Sequence, residues 1–367
     1  MTTQRPARVH LIAAARPNFM KVAPLWHALK EAPDFEPVLI HTGQHYDPNM
    51  SDAIFADLRL PAPDHHLGVG SGSHAEQTGG VMIAYERIAM ADRPDWLVVV
   101  GDVNSTAACA IVAAKLRFPA IHLEAGLRSY DRDMPEEINR LVTDVVADVL
   151  WTPSPDADEN LEREGIPAGR VTRVGNIMLD SFELVRPAIE AAGAARELGL
   201  EPGRYGVVTL HRPSNVDDPE QLARLVDALI EVQRRLPLVF PLHPRTAARL
   251  DGLADRMTEA GVKLVEPVPY VRFMSLVMGA AAAITDSGGI QEETTYLGIP
   301  CLTLRENTER PITITEGTNQ LVRAGELAAR LAEALASPAG QRRRPDLWDG
   351  RTAQRCIEDL RARAARR

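Results

Sequence analysis

Four consecutive residues in the second half of the chain have the types and spacing of an anion-binding turn. They read Asp286-Ser287-Gly288-Gly289, after an apolar run and before a helical pattern. Glycines allow close approach to backbone amides, and a helix N-terminus offers unpaired N–H groups with a partial positive charge. We therefore predict a phosphate site here, with an ordinary Ser/Gly helix start as the alternative. The cations that could complete the site are Arg16, Lys21 and Arg310.

A second group of candidate residues is acidic. Asp102 and Glu124 directly follow predicted strands, which would hold them stiffly at the strand ends. Glu136 and Glu137 follow Pro135, and because acids also stabilise the positive end of a helix, that interpretation stays open for them. A partly desolvated carboxyl group near other carboxylates has a raised pKa, which suits proton transfer near neutral pH. Asp102, Glu124 and Glu136 are therefore candidate general acids or bases.

Histidines form the third group. His211 and His243 each end a predicted strand in the second half of the chain, where imidazole could donate a hydrogen bond to a phosphate. The alternative is that each is only a satisfied polar residue. His41 and His45 have the i, i+4 spacing of metal ligands, but they straddle a strand-to-loop transition and no cysteine or carboxylate cluster completes a set. We therefore predict no metal site.

The elements that must position these residues alternate between short apolar, β-rich runs and helical patterns. Such alternation indicates βαβ units and parallel sheets covered on both faces. A first round of predicted strands comprises Val9–Ala13, Val38–His41, Trp96–Val100, Ala120–Leu123, Val149–Trp151 and Val171–Gly175. A second round comprises Gly206–Leu210, Leu238–Pro241, Val262–Val265, Ala282–Thr285 and Cys301–Leu304. The predicted fold class is α/β, with two doubly wound, Rossmann-like domains in tandem.

The candidate residues follow the predicted strands in both halves of the chain. Ligands of open α/β sheets bind at the carboxyl ends of the strands. Because both halves supply charged or imidazole groups at such ends, we expect one central cleft between two facing domains.

The length and composition of the chain exclude several classes of protein. The chain has 367 residues, enough for two domains at about 150 residues each. Its formal net charge of −9 has the wrong sign for a general binder of nucleic acid or anionic membranes. The longest apolar run, Met274–Ile284, is shorter than the roughly 18 residues of a spanning helix, and the N-terminus has no apolar signal core. With three cysteines and no C-x-x-C pair, we expect a soluble, cytoplasmic protein.

Cofactor motifs are not matched. The glycines of residues 68–72 superficially resemble a dinucleotide fingerprint, but the third is misplaced and residues 61–66 predict no strand before it. The sequence contains neither a P-loop nor a G-x-S-x-G motif after a strand. We therefore expect no NAD or other cofactor, and neither P-loop nor serine-hydrolase chemistry.

At these residues the sequence resembles the non-hydrolysing UDP-N-acetylglucosamine 2-epimerase family over nearly the whole chain. One matching segment alone would be a weak signal, but the whole set in this order is specific to the family. The segments are Arg16-Pro17 with Lys21 and Pro24-Leu25, Thr42-Gly43-Gln44-His45, Gly101-Asp102, His122-Leu123-Glu124-Ala125-Gly126-Leu127-Arg128, Pro135-Glu136-Glu137 with Asn139-Arg140, His211-Arg212, Asp286-Ser287-Gly288-Gly289 with Gln291-Glu292-Glu293, and Thr308-Glu309-Arg310-Pro311.

The resemblance implies the GT-B architecture, in which two Rossmann-like domains hold a sugar nucleotide between them. Residues 1–175 would form the first domain, together with a C-terminal helix, 350–367, that crosses back to it. Residues 176–349 would form the second, UDP-binding domain. The resemblance also implies a homodimer, with a UDP-sugar as the ligand.

The activity implied is inversion at C2 of UDP-GlcNAc to give UDP-ManNAc, a precursor of cell-surface polysaccharides. It would proceed by anti elimination of UDP to 2-acetamidoglucal and re-addition, without NAD or metal. The positions that match the family's catalytic residues are Asp102, Glu124, Glu136 and His211. The positions assigned to substrate and UDP are Arg16, Lys21, Arg140, His243, Phe273, Ser287, Gly288, Gly289, Glu293 and Arg310, with Glu293 where the family holds the ribose.

The chain departs from the family pattern in four places. Val268 stands where many members have a glutamine near the uracil, and Pro213-Ser214 replaces the commoner Arg-Glu after His211-Arg212. Residues 46–48 and 70–74 lack the arginines with which regulated members bind a second, activating UDP-GlcNAc. We therefore expect no allosteric activation. A 2-epimerase of a UDP-2,3-diacetamido-uronic acid and a GT-B glycosyltransferase stay open as alternatives.

Overall fold

The computed structural model describes residues 5–14, 16–43, 55, 57–337 and 344–366. The chain divides into two compact units, Met1–Leu184 with Asp346–Arg367, and Val185–Pro345. Each unit has an open, all-parallel sheet whose strands alternate along the chain with helices. The predicted α/β class, with two doubly wound sheets, is confirmed. In the described ranges, no helix is both long enough and apolar enough to span a bilayer.

The first unit contains a sheet with strand order β3-β2-β1-β4-β5-β6-β7. Its strands are β1 (Ala7–Ala13), β2 (Phe35–His41), β3 (His65–His66), β4 (Trp96–Val100), β5 (Ala120–Leu123), β6 (Val149–Thr152) and β7 (Val171–Arg173). Its helices include α1 (Arg16–Glu31), α2 (His74–Ala91), α3 (Asn104–Leu116), α4 (Pro135–Val146), α5 (Pro155–Arg163) and the first half of α6 (Ile177–Ala192). The chain winds outward from β1 to β3 and then reverses, so β1 and β4 are neighbours at the centre.

The second unit repeats this plan with strand order β10-β9-β8-β11-β12-β13. Its strands are β8 (Gly206–Thr209), β9 (Leu238–Pro241), β10 (Lys263–Val265), β11 (Ala282–Thr285), β12 (Cys301–Thr303) and β13 (Asn319–Leu321). Its helices are α7 (Ala194–Glu197), α8 (Pro213–Val216), α9 (Pro219–Gln233), α10 (Pro244–Leu250), α11 (Leu253–Glu259), α12 (Tyr270–Met278), α13 (Gly288–Leu297), α14 (Ile312–Thr315) and α15 (Leu327–Ala336). Here the winding reverses between β8 and β11.

Two short edge strands were not predicted. The expectation of no strand in residues 61–66 is wrong, since His65–His66 pairs in parallel with the end of β2. The alignment is fixed by Asp64, whose carboxylate accepts the backbone N–H of Leu39 at 2.7 Å. Strand β13 was also missed. Both strands are three residues or fewer and lie at sheet edges, where no long apolar run is needed.

The C-terminal segment forms helix α16 (Thr352–Ala364), which contacts α1 in the first unit. Asp180 of α6 accepts the backbone N–H groups of Thr352 and Ala353 at 3.1 and 2.7 Å, and so satisfies the first turn of α16. The Trp151 indole of β6 donates to Asp359 at 2.7 Å. These contacts make the last helix part of the first unit.

The division between the units falls within α6, after Leu184, and not at residue 175 as expected from the sequence. The first half of α6 belongs with the first unit because Asp180 caps α16 and Ser181 donates to the backbone carbonyl of Met20. The chain returns to the first unit at Asp346 rather than at residue 350. Buried Trp348, which donates to the Pro153 carbonyl at 3.0 Å, accounts for the earlier return.

Candidate active site

Each sheet has one position where its strand order reverses, and ligands of open α/β sheets bind in the crevice at that position. In the first unit, β1 leads into α1 with Lys21, and β4 leads into Gly101 and Asp102. In the second unit, β8 leads into His211 and β11 leads into Asp286. Most of the predicted site residues therefore lie on segments that border these two crevices.

Lys21 and Glu124 form a buried ion pair in the first unit, with Nζ against Oε2. Their side chains are only 10% and 4% exposed. Glu124 directly follows β5 and has a φ of +71°, a conformation that L-residues rarely adopt. Gly101 leaves room for the pair, because a Cβ at that position would lie 3.1 Å from the Lys21 Nζ. The Glu124 carboxylate is thus held rigidly beside a cation at the end of the central strands.

Arg140 joins Asp102 to Glu137. Its Nε and Nη2 donate to Asp102 Oδ2 at 3.0 and 2.7 Å, and its Nη1 donates to Glu137 Oε2 at 2.6 Å. Burial raises the pKa of Glu137, but hydrogen bonds from the Ser129 amide and from Arg140 outweigh burial and bring that pKa below its usual range. The Asp102 side chain is 33% exposed. Asp102 is therefore an oriented carboxylate that a ligand can still reach.

The two neighbouring acids at the start of α4 have different environments. Glu136, the predicted catalytic residue, is exposed on the first turn, whereas Glu137 is buried. Glu137 accepts the backbone N–H groups of Ser129 and Tyr130 at 3.0 Å each. The structure therefore gives Glu137 a positioning role through Arg140, and the catalytic role of Glu136 stays a prediction.

In the second unit, His211 and Asp286 form a hydrogen-bonded pair with His211 Nδ1 2.9 Å from Asp286 Oδ1. Asp286 is fully buried and also accepts the backbone N–H of Arg212 at 2.9 Å and the Asn215 side-chain amide at 3.1 Å. Burial raises the pKa of Asp286, but the His211 hydrogen bond and charge outweigh it and keep that pKa below its usual range. Asp286 thus fixes the orientation of the His211 ring through Nδ1, and the His211 side chain is 39% exposed.

His243 lies beside this pair, with its ring centroid 5.6 Å from that of His211. Its Nδ1 accepts the backbone N–H of Arg245 at 3.2 Å and so caps helix α10. Burial and the neighbouring His211 lower the pKa of His243. A neutral ring with Nδ1 as acceptor carries its proton on Nε2, so His243 is a hydrogen-bond donor toward a ligand.

The predicted phosphate-binding turn begins helix α13, with Ser287 as its N-cap. The Ser287 side chain makes no capping hydrogen bond to this helix, and a Cβ on Gly289 would meet no described atom within 4 Å. At Gly288 a Cβ would lie 2.9 Å from Arg310 Nη1, so a larger residue there would displace this guanidinium from the helix start. Amides, a hydroxyl group and a cation therefore converge at the N-terminus of α13.

Three guanidinium groups and two carboxylates surround this turn. Arg310 contacts Glu309 at 2.6 Å and Glu292 at 2.8 Å, and Arg305 contacts Glu309 at 2.8 Å. Burial raises the pKa of Glu309, but Arg310 and Arg305 outweigh burial and lower that pKa strongly. Burial and the charge of Arg305 lower the pKa of Arg212. Guanidinium groups beside the unpaired amides of a helix start suit an anionic ligand.

Glu293, on α13, is buried and accepts a hydrogen bond from the Tyr270 hydroxyl at 2.6 Å. Burial raises its pKa to about 8, and the neighbouring Glu292 carboxylate acts in the same direction. At neutral pH this carboxyl group is therefore protonated, and it can both donate and accept hydrogen bonds.

Other predicted residues are less constrained. Arg16 is the first residue of α1, but its side chain is outside the described part of the structure, as are Gln44 and His45. Phe273 is half-buried on α12. No group of three or more His, Cys, Asp or Glu side chains within the described ranges is placed to hold a metal ion.

The partners that orient these groups were not predicted from the sequence. Asp286 was considered only as part of the anion-binding turn, although it positions His211. A usable signal was present, because β8 and β11 are neighbours in a doubly wound sheet, and Thr209 pairs with Thr285. Residues that follow paired strand ends are expected to meet.

Several known 2-epimerases of UDP-sugars are similar to this chain. The family model described as UDP-N-acetylglucosamine 2-epimerase matches residues 27–361. A UDP-N-acetylglucosamine 2-epimerase of Methanocaldococcus jannaschii is 37% identical, with 96% of this chain and 98% of that protein covered. A UDP-2,3-diacetamido-2,3-dideoxy-D-glucuronate 2-epimerase of Pseudomonas aeruginosa is 39% identical, with 86% and 88% covered. The crystal structure of the M. jannaschii UDP-GlcNAc 2-epimerase in complex with UDP-GlcNAc and UDP has a TM-score of 0.86 at 37% identity, covering 97% of this chain and 99% of that one.

Proposed function

Because the chain belongs to the UDP-N-acetylglucosamine 2-epimerase family, we propose that it interconverts UDP-GlcNAc and UDP-ManNAc. The protein is an epimerase and therefore an isomerase. In the proposed reaction a base removes the proton at C2, the C1–O bond breaks, and UDP leaves with the bonding electron pair. The intermediate is 2-acetamidoglucal, and UDP adds back at C1 while a proton is delivered to the opposite face of C2.

The observation that carries this proposal is the turn at Asp286. Its carboxylate orients His211 at 2.9 Å, and the next residues begin helix α13 beside Arg310. A helix N-terminus and a guanidinium group stabilise the negative charge that develops on a departing diphosphate. We assign the diphosphate to Ser287, Gly288, Gly289 and Arg310, and the ribose to Glu293.

The proton transfers are assigned to Asp102, Glu124, Glu136 and His211. A proton at C2 is only weakly acidic, so a positioned carboxylate has to act while cations stabilise the leaving UDP. Asp102 is oriented by Arg140, and Glu124 is held by Lys21. A glycosyltransferase with the same UDP site would not need these carboxylates, which favours the epimerase. Further substrate contacts are assigned to Arg16, Lys21, Arg140, His243 and Phe273.

Solvent deuterium distinguishes these classes of protein. After incubation of UDP-GlcNAc with the enzyme in deuterated buffer, we expect deuterium at C2 of both recovered UDP-sugars. Asp102→Asn serves as the control, because it removes a proposed proton-transfer group. Transfer of the sugar to an added acceptor, with release of free UDP and without deuterium at C2, would indicate a glycosyltransferase. Saturable binding with neither exchange nor UDP release would indicate a sensor.

A second candidate substrate is a UDP-2,3-diacetamido-uronic acid. It is favoured by the 39% identity to the P. aeruginosa relative, which is as high as the identity to the UDP-GlcNAc epimerases. The arginine and histidine side chains of the site could pair with a sugar carboxylate as well as with a phosphate. Activity on this sugar, with none on UDP-GlcNAc or UDP-ManNAc, would change the substrate and leave the mechanism unchanged.

We also propose a cytoplasmic homodimer that supplies polysaccharide precursors. Exposed apolar side chains recur at seven-residue spacing on two helices of the first unit, which favours a self-association surface. They are Ile83 and Met90 on α2, and Ile138 and Val145 on α4. Sedimentation at micromolar concentration tests the dimer, and a monomer there would contradict it.

A further inference from the structure

His122, which the proposed mechanism does not use, is buried between helix α4 and the turn that follows β4 in the first unit. It lies on β5 and is fully inaccessible to solvent. Its Nδ1 is 2.6 Å from Asp144 Oδ1, and its Nε2 is 2.8 Å from the backbone carbonyl oxygen of Gly101. Both ring nitrogens are therefore within hydrogen-bond distance of an oxygen.

Each of those oxygens can only accept a hydrogen bond. The Gly101 carbonyl has no proton to donate. Asp144 is held as a carboxylate without any charge on His122, because its Oδ2 lies 2.7 Å from Arg128 Nη2 and accepts the Gly126 N–H at 3.1 Å. A neutral imidazole has one nitrogen without a proton, and the lone pair of that nitrogen would face one of the two acceptor oxygens. Only the doubly protonated ring donates to both oxygens.

The surroundings compensate the positive charge on His122. Asp144 also contacts Arg128 Nη2 at 2.7 Å and accepts the Gly126 N–H at 3.1 Å. Arg128 in turn donates twice to Glu164, at 2.8 and 2.7 Å. With a doubly protonated His122 the cluster has two cations and two carboxylates, and every charge has a close partner of opposite sign. Such pairing is what a buried charge requires.

The Gly101 carbonyl belongs to the turn that carries Asp102. Gly101 has a φ of +67°, and its N–H donates to the Leu123 carbonyl at 3.0 Å. Gly101 is consequently linked to β5 twice. Its N–H bonds to Leu123, and its carbonyl oxygen lies against His122. The next residue, Asp102, presents its carboxylate to Arg140.

We propose that His122 is a positioning residue, which as an imidazolium holds the Gly101 carbonyl and thereby fixes the direction of the Asp102 carboxylate. This inference rests on the proposed function, in which Asp102 transfers a proton. Small displacements of an oriented group can cost about 10²-fold in turnover. Loss of His122 is therefore expected to reduce turnover while leaving UDP binding largely intact, since the diphosphate and ribose contacts are assigned to the second unit.

The charge on the ring is tested in the wild-type protein without substrate. In ¹⁵N-histidine-labelled protein at neutral pH, we expect two protonated ring nitrogens for His122, with the signal assigned by its loss in His122→Asn. His10 is the internal reference, because it is equally buried and burial lowers its pKa to about 4, so its ring is neutral. A neutral His122 ring would overturn the proposal, whatever the enzyme's substrate.

Kinetics test the positioning role. His122→Asn should lower kcat by about 10²-fold, with KM and the Kd for UDP within about threefold of wild type. It should also shift the backbone amide signals of Gly101 and Asp102. His10→Asn is the matched control, a buried histidine of the same sheet that contacts Tyr85 and not this turn. It should lower thermal stability without the loss in kcat or the change at Asp102.

Two results separate this inference from the proposed function. Normal turnover in His122→Asn, with deuterium still entering C2, would overturn the positioning role and leave the epimerase assignment standing. If wild-type enzyme exchanges deuterium into no UDP-sugar, the proposed function fails. The ring protonation and the Asp102 amide shift then still decide whether His122 holds the turn.

Discussion

Two aspartate–histidine pairs, one in each unit, differ in what the second imidazole nitrogen meets. His122 and Asp144 are 2.6 Å apart and both fully buried, and the other nitrogen of His122 is bonded to the Gly101 carbonyl. His211 and Asp286 are 2.9 Å apart, and the His211 side chain is 39% exposed. An imidazole with both nitrogens bound inside the protein holds structure in place. One with a single bound nitrogen can exchange a proton with a ligand.

The carboxylates of the two pairs also lie on different kinds of structural element. Asp144 is on helix α4, and through His122 it acts on the end of another strand. Asp286 follows a strand itself and accepts the backbone amides of the neighbouring strand's turn. Asp286 is therefore continuous with the helix that begins at Gly288, so the carboxylate that orients His211 and the proposed phosphate site lie on one turn.

The largest effect is expected from removing the charge of Asp286. Asp286→Asn should lower kcat by about 10⁴-fold, because the amide no longer fixes the His211 tautomer or stabilises its protonated form. The Kd for UDP should change much less. Asp217→Asn is a matched control, since Asp217 is a carboxylate of the same unit paired with Arg245 at the surface. Near-normal turnover in Asp286→Asn would show that the two pairs do not differ as described.

Smaller effects are expected from substitutions that distinguish the roles of the two units. Asp102→Asn and Glu124→Gln should each lower kcat by about 10²-fold or more, with UDP binding largely retained. Arg310→Ala should instead weaken UDP binding, because it removes the guanidinium at the start of α13. Isothermal titration with UDP and initial rates on the same preparations measure both quantities. If Asp102→Asn lost UDP binding as strongly as Arg310→Ala, the division of roles would be wrong.

The sequence predicts the strand ends well because periodicity and β-rich runs are local signals. It does not predict which face of α4 is buried. In that helix Glu137, Arg140 and Asp144 are buried, whereas Ile138 and Val145 are exposed. The usual inference that apolar residues mark the buried face therefore selects the wrong side. The spacing of the three charged residues, i, i+3 and i+7, does indicate a common face, and it was the signal that could have shown the Arg140 network.

Contacts between distant residues were beyond sequence reasoning for a different reason. His122 and Asp144 are 22 positions apart, and their pairing depends on how α4 packs against β5. Propensity and pattern give no information on such packing. In contrast, the candidate phosphate turn is a continuous segment, so its four residues could be identified together.

A pH effect on stability should distinguish Glu293 from the aspartates of the two pairs. Its pKa is about 8 in the folded protein, where the ordinary value is 4.5. Between these pH values the unfolded chain is ionised and the folded one protonated, so the free energy of unfolding falls as pH rises. Glu293→Gln should remove this part of the slope, measured as urea midpoints at about pH 5 and pH 8. Glu259→Gln, at an exposed position of the same unit, should leave it unchanged.

The smallest effect is expected at the segment where regulated members of the family bind a second UDP-GlcNAc. The Ser73 hydroxyl and the Glu76 carboxylate there are engaged in capping helix α2, and His74 contacts Asn104. A diphosphate at this helix start would meet the Glu76 carboxylate and no arginine of residues 70–74.

We therefore expect hyperbolic kinetics in both directions. With pure UDP-ManNAc as substrate, a trace of UDP-GlcNAc should change the initial rate by less than about twofold, because activation needs a second site that prefers the active state. Sigmoidal rates, or turnover of UDP-ManNAc only after the trace is added, would contradict this prediction. In that case Glu76→Gln, which removes the opposing charge, should strengthen the activation, whereas a hyperbolic enzyme should be insensitive to the same substitution apart from the loss of the helix cap.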